Sequence, residues 1–163
     1  MAQPPKIIPA NGMGDGAETR FLVTAVDSSN IFEWFETTLP FGSGPAYHSH
    51  QRTDEVLRVL AGEVKFKLGG IWYDLSAGDT CFIPRSTPHA FTNIYPDTTA
   101  QLLGVVIPAG LETFLRVLET ALAHGPPDEI ILAELAVRFD QAILGPSLAV
   151  ELGLSVDGKT VTL

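Results

Sequence analysis

The segment Val64-Lys65-Phe66-Lys67-Leu68 alternates apolar and polar side chains with a period of two. That period predicts a strand with Val64, Phe66 and Leu68 facing inward and both lysines facing water. Gly69-Gly70 then turns the chain back into Ile71-Trp72-Tyr73-Asp74-Leu75 as a two-residue hairpin. Further strand-like segments run over 20–26, 31–39, 55–61, 80–83, 89–95 and 100–107, with turn residues at 27–30, 42–45 and 95–97. Many short strands with turns between them predict an all-β sandwich or barrel. The segments 31–35 and 100–107 are apolar on both faces, so a helix or a second subunit is expected to cover the outside of the sheet.

The period changes in the last third. Leu111, Phe114, Leu115, Leu118 and Leu122 make one helical stripe on a helix starting near Gly110. Pro126-Pro127 separates it from a second helix with Asp128 and Glu129 in its first turn. Ile131, Leu135, Ala136 and Phe139 form the apolar side of that helix, and Gly145-Pro146 is expected to close it. Both stripes are expected to pack on the outer sheet. His124, at the end of the first helix, is read as a favourable C-terminal charge.

Composition narrows the class. A chain of 163 residues fits one domain, and its 45% apolar content is that of a globular protein. No apolar run approaches the roughly 18 to 20 residues of a membrane span. Met1–Pro5 carries no basic segment followed by an apolar one, which predicts no secretory signal and a soluble cytoplasmic protein. The net charge of −9 argues against nucleic acid and anionic membranes as partners. The single cysteine, Cys81, forms no internal disulfide and is read as a buried hydrophobe.

Chemistry concentrates in His48, His50, Glu55 and His89. On a strand, His48 and His50 stand on one face with Cα atoms about 6.8 Å apart, within reach of one ion. Glu55 opens the apolar segment 55–61, and His89 follows the proline-flanked turn 84–88. Three imidazoles and one carboxylate suit one divalent transition metal per chain, Fe, Mn, Ni, Co, Cu or Zn. Four protein ligands leave about two positions open on a six-coordinate ion.

The stretch 42–62, with Gly42, His48, His50, Glu55 and Gly62, resembles the first motif of the cupin superfamily. The stretch 78–93, with Gly78, Pro84, His89 and Asn93, is similar to the second. Ser86 stands where that motif usually has glycine, a position that often takes a positive φ. The resemblance implies a double-stranded β-helix, or jelly-roll, barrel over 19–108. A C-terminal pair of helices would follow over 109–146, and 147–163 would be a tail or a small Asp157-Gly158 hairpin. It also implies a homodimer, with the N-terminal arm 1–18 contributing an exchanged strand.

Alternation places Leu57, Val59, Phe66, Tyr73 and Phe91 in the substrate pocket, with Tyr47 and Ile71 nearby. A pocket of this kind favours a small aromatic or enolisable molecule over a phosphosugar. The resemblance to small quercetinase-like cupins implies a metal-dependent dioxygenase, with Glu55 as fourth ligand or as a catalytic base whose pKa an apolar pocket raises. A metal-dependent isomerase, lyase or cyclase, and a non-catalytic small-molecule-binding module, remain open. Arg58 is expected outside, and Asn93 is expected to bond backbone near the site.

Overall fold

The period-two segments pair into two antiparallel five-stranded sheets that face each other as a jelly roll. In this computed structural model, residues 4–9, 18–123, 129–156 and 159–160 are described. In chain order the strands are β1 (Glu18–Val23), β2 (Glu33–Leu39), β3 (Ala46–Ser49), β4 (Asp54–Ala61), β5 (Glu63–Leu68), β6 (Ile71–Ser76), β7 (Thr80–Ile83), β8 (His89–Thr92) and β9 (Ala100–Ile107). Helices α1 (Leu111–Leu122) and α2 (Glu129–Arg138) follow, then β10 (Ala142–Ser147), the short α3 (Leu148–Glu151) and the pair β11 (Ser155–Val156) and β12 (Lys159–Thr160). One sheet has the order β1-β2-β9-β4-β7 and the other β10-β3-β8-β5-β6.

Inward positions of both sheets meet in one core, built on Phe35, Leu57, Val59, Val64, Phe66 and Leu102. Each such side chain contributes about 1.5–3 kcal/mol through burial. The β5–β6 hairpin turns on Gly69 and Gly70, both at positive φ, and pairs Leu68 with Ile71 as its pattern predicts.

Four expectations need correction. Residues 142–147 are not the end of a helical extension: α2 stops at Arg138, and β10 runs through Gly145-Pro146 to pair with β3. As an edge strand, β10 tolerates the proline that a central strand would reject. Lys67 does not face water, because its ammonium lies over the rings of Tyr47 and Trp72 and pairs with Glu151 of α3. Tyr73 and Ile71 are exposed, although Tyr73 is the register partner of the buried Phe66. β6 is the edge strand, and at these two residues its inward face stays open to solvent.

The helices are also less covered than their stripes suggest. No residue of α1 is fully buried, and Ile131 of α2 is exposed while Ala136 is buried. α1 is anchored from β2 instead. Glu33, 0% exposed, accepts the Glu112 N–H through Oε2 at 3.1 Å, where the helix leaves its first amides unpaired. Ring contact between Phe114 and Phe139, with centroids 5.8 Å apart, ties α1 to the turn after α2.

Of the two readings left open for the C-terminus, a tail or a small hairpin, β11 pairs with β12 as in a hairpin, and Asp157-Gly158 lies outside the described residues. The expectations for His124, Pro126-Pro127 and Asp128 lie outside them too. Residues 4–9 carry no strand. Among the described residues no helix is long and apolar enough to cross a membrane.

Candidate metal centre

Each histidine is delivered by a different local device. His48 and His50 lie at and just past the end of β3, with Ser49 between them, so both rings turn inward as the i, i+2 spacing requires. The residue at the start of β8 is His89, paired in register with His48. Glu55 enters from the opposite sheet, at the second position of β4. The three histidines are buried, and their donor atoms lie within 4.8 Å of one another.

Backbone carbonyls fix the tautomers. His48 Nδ1 donates to Ala46 O at 2.7 Å, His50 Nδ1 to Asp140 O at 3.1 Å and His89 Nδ1 to Thr87 O at 2.8 Å. With every Nδ1 committed to an acceptor, the neutral rings turn their Nε2 lone pairs on one another. His48 Nε2 stands 3.2 Å from His50 Nε2, and His89 Nε2 stands 3.1 Å from Glu55 Oε2. Between His48 and His50 two lone pairs face each other and ask for a cation, whereas the His89–Glu55 contact is a hydrogen bond whose proton a cation would replace. Two donors about 2.1 Å from a shared ion are separated by about 3.0 Å at a right angle and about 3.4 Å at the tetrahedral angle. The 3.2 Å gap falls between these values, so the His48–His50 pair fits a shared divalent transition metal.

Titration agrees with this geometry. Burial, and then the neighbouring charges of His89 and His50, push His48 down to about 4. His50 is also lowered, chiefly by burial. For His89, burial acts downward, but the hydrogen bond and charge of Glu55 outweigh it and raise the pKa. Glu55 departs from expectation. Burial does push its carboxyl upward, yet the His89 hydrogen bond and the histidine charges hold it below its ordinary value. It is therefore a carboxylate, ready to ligate or to accept a proton. Cys81 is pushed up to about 11 by burial and by the charge of Glu55, so its thiol is inert.

A cavity of about 290 Å³ opens onto His48, His50 and Glu55. Its walls include Phe35, Leu39, Phe91, Val106, Leu111 and Leu115, together with Thr38 and Ser43. Among the described residues no lysine or arginine lines it. Among the described residues, Thr38 Oγ1 is buried without a hydrogen-bond partner.

Of the five residues expected in the pocket, Phe91 lines this cavity. Leu57, Val59 and Phe66 point inward but are packed in the core, at most 1% exposed, and Tyr73 is exposed. The barrel interior has a ligand end and a packed end, and alternation alone does not say which end an inward residue occupies. Arg58 is exposed, as expected. Asn93 is structural: Nδ2 donates to Leu39 O and Thr98 O while Oδ1 accepts from Tyr95 N.

Asp140 carries no sequence signal, because it orients His50 through a carbonyl that any residue possesses. Its carboxylate meanwhile accepts the N–H groups of Gln51 and Arg52 and the Thr53 hydroxyl, which ties the loop after His50 to the turn after α2.

Residues 35–106 match the family model described as a cupin domain. The structure is a cupin barrel. A crystal structure of a predicted oxalate decarboxylase from Thermotoga maritima shares the fold, at 28% identity and a TM-score of 0.54 over 56% of this chain and 80% of that one. The cupin domain of an XRE-family transcriptional regulator from Enterobacter cloacae does so at 21% identity and a TM-score of 0.50, over 55% of this chain and 94% of that one. An uncharacterized protein of Methanocaldococcus jannaschii is 34% identical over 59 residues, which are 36% of this chain. The match spans about half, 47%, of that relative's length. In this cupin barrel, both motif stretches lead to the same place, the three histidines and Glu55.

Proposed function

We propose that this chain is a metal-dependent enzyme acting on a small aromatic or enolisable molecule, and that the reaction is a dioxygenation. The observation that carries the reading is the pairing of convergent Nε2 atoms with a cavity walled by Phe35, Phe91 and leucines and free of lysine and arginine among the described residues. A phosphosugar entering this cavity would find no cationic partner there. A flat apolar body with one ionisable oxygen suits it.

A divalent ion held by His48, His50, His89 and Glu55 would supply Lewis acidity and, for a redox-active metal, the means to activate dioxygen. The protein's own part is positional and electrostatic. Phe35, Phe91, Leu39 and Val106 clasp the apolar body and exclude water. Glu55, kept ionised by its histidine neighbours, takes the proton of the substrate's hydroxyl or enolisable C–H.

The test is turnover of a panel of phenolic and enolisable aromatic compounds by metal-reconstituted protein, with dissolved oxygen followed in parallel. Dioxygenation consumes one O₂ per substrate. Unchanged turnover under anaerobic conditions would remove it in favour of an isomerase, lyase or cyclase, which the likeness to the predicted Thermotoga decarboxylase supports. Binding without turnover at full metal occupancy leaves the small-molecule-binding module.

We also propose that the protein works as a homodimer. The outer face of the first sheet carries the cross-strand row Trp34, Val105, Val56 and Phe82, with Phe82 64% exposed. Light scattering after size exclusion should give twice the chain mass of 17.5 kDa, and Phe82→Lys should shift it toward the monomer.

A further inference from the structure

A second cavity, of about 320 Å³, adjoins the metal-side cavity and shares His50, Val106 and Leu111 with it. Its character is different. The metal-side cavity lacks cationic residues among those described, whereas this one is bordered by Arg52, Thr53, Arg138 and Gln141.

Two of these groups stand without polar partners. Gln141 is 8% exposed, yet among the described residues its side-chain amide makes no hydrogen bond. The amide keeps access to the open space of the cavity, where a ligand can take the place of water as its hydrogen-bond partner. Arg138 ends α2 with its guanidinium 5.2 Å from the Phe139 ring centroid, and no described carboxylate pairs with it. Most other described arginines and lysines are ion-paired, as Arg20 is with Glu36 and Arg85 with Asp54. Asp140 also borders the cavity, but its carboxylate already accepts two backbone N–H groups and the Thr53 hydroxyl, with the Arg52 guanidinium 3.6 Å away. Two guanidinium charges against one engaged carboxylate leave a net positive wall.

We infer that this second cavity is a carboxylate subsite, and that the substrate is an elongated molecule whose apolar, ionisable end lies at the histidines while a carboxylate at its other end is held by Arg138 and Gln141. The inference rests on the metal-centred reading for the substrate's direction. A guanidinium fork and an amide N–H supply the parallel donors that a carboxylate accepts. A phosphate dianion would bring a second charge toward Asp140. The subsite also gives the helical extension a task, since Arg138 and Gln141 come from α2 and the turn after it.

The test compares 3-(4-hydroxyphenyl)propionate with 4-ethylphenol, two probes that share a phenol and differ in the carboxylate, by calorimetric titration of metal-loaded protein. The propionate should bind about tenfold more tightly. Arg138→Gln should reduce that advantage to within about twofold while leaving 4-ethylphenol unchanged, and Gln141→Leu should reduce it in part. Arg58→Gln, on an exposed arginine of β4, should keep it. Equal affinities in the unaltered protein, or an advantage that survives Arg138→Gln, would overturn the subsite. The two readings fail separately. An advantage abolished by metal removal but kept in Arg138→Gln puts the carboxylate on the ion and ends the subsite alone. An Arg138-dependent advantage in protein that elemental analysis finds unable to hold metal supports the subsite and ends the metal-centred reading.

Discussion

At the residue scale, the three histidines differ in what holds them. His48 and His89 are each oriented by a carbonyl two residues before them, whereas His50 depends on the carbonyl of Asp140, ninety positions away. Asp140→Ala should therefore weaken metal binding about 10- to 100-fold without removing a ligand, because it frees the loop after His50. A competition titration against a chelator measures it. His50→Ala should abolish most binding by elemental analysis, while Glu55→Gln should retain more metal but lose most turnover. Ser86 makes a separate point. It adopts φ 66 where the resemblance expects glycine, so the turn keeps its shape through a strained residue. Ser86→Gly should stabilise the fold by about 0.5–1 kcal/mol, a rise of a few degrees in Tm.

Among elements, α1 is the least buried helix relative to the importance of what it covers. Leu111 and Leu115 wall the metal-side cavity, yet no α1 residue is fully buried. Its hold on the barrel includes the Glu33 carboxylate at its N-terminus. Glu33→Ala would take away that acceptor and leave the Glu112 N–H unpaired, at about 1–3 kcal/mol. Faster hydrogen exchange confined to the amides of 111–115, with β4 and β9 unchanged, is the expected signature. Elements were legible where their period was clean. The β5–β6 hairpin and the start of α1 fall where pattern places them. β10 did not, because Ala142–Ser147 lacks alternation, holds Gly145-Pro146, and becomes a strand only by pairing with the free edge of β3.

Over the whole molecule, a proton and a metal ion would compete for the same imidazoles. In metal-free protein, His48 titrates near 4 when folded against 6.5 for an imidazole fully in water, so the unfolded chain binds the extra proton between these values. Stability from this group is complete above pH 6.5 and is lost as pH falls toward 4, by about 3 kcal/mol. His89 has the opposite sign. Its raised pKa contributes stability below 6.5 that disappears as pH rises through the folded value. Thermal melts in chelator should show a maximum between these flanks, and His48→Gln should flatten the acid side. Metal must displace the His89 proton, so its affinity should start to decline above pH 6.5 on acidification.

What the chain determines by itself is the set of donors and the strands that carry them. His48, His50, Glu55 and His89 are legible because ligand chemistry admits few side chains and strand period sets their facing. The tertiary structure alone decided which inward residues border the candidate metal centre. Leu57, Val59 and Phe66 satisfy the same alternation as Glu55, yet lie in the packed end of the barrel, whereas Phe35, Leu111 and Leu115 reach the cavity from β2 and α1. Facing is a local property of a strand. Depth along the barrel, and the carbonyl of Asp140 at His50, depend on which distant segments meet, and no short-range pattern encodes that meeting.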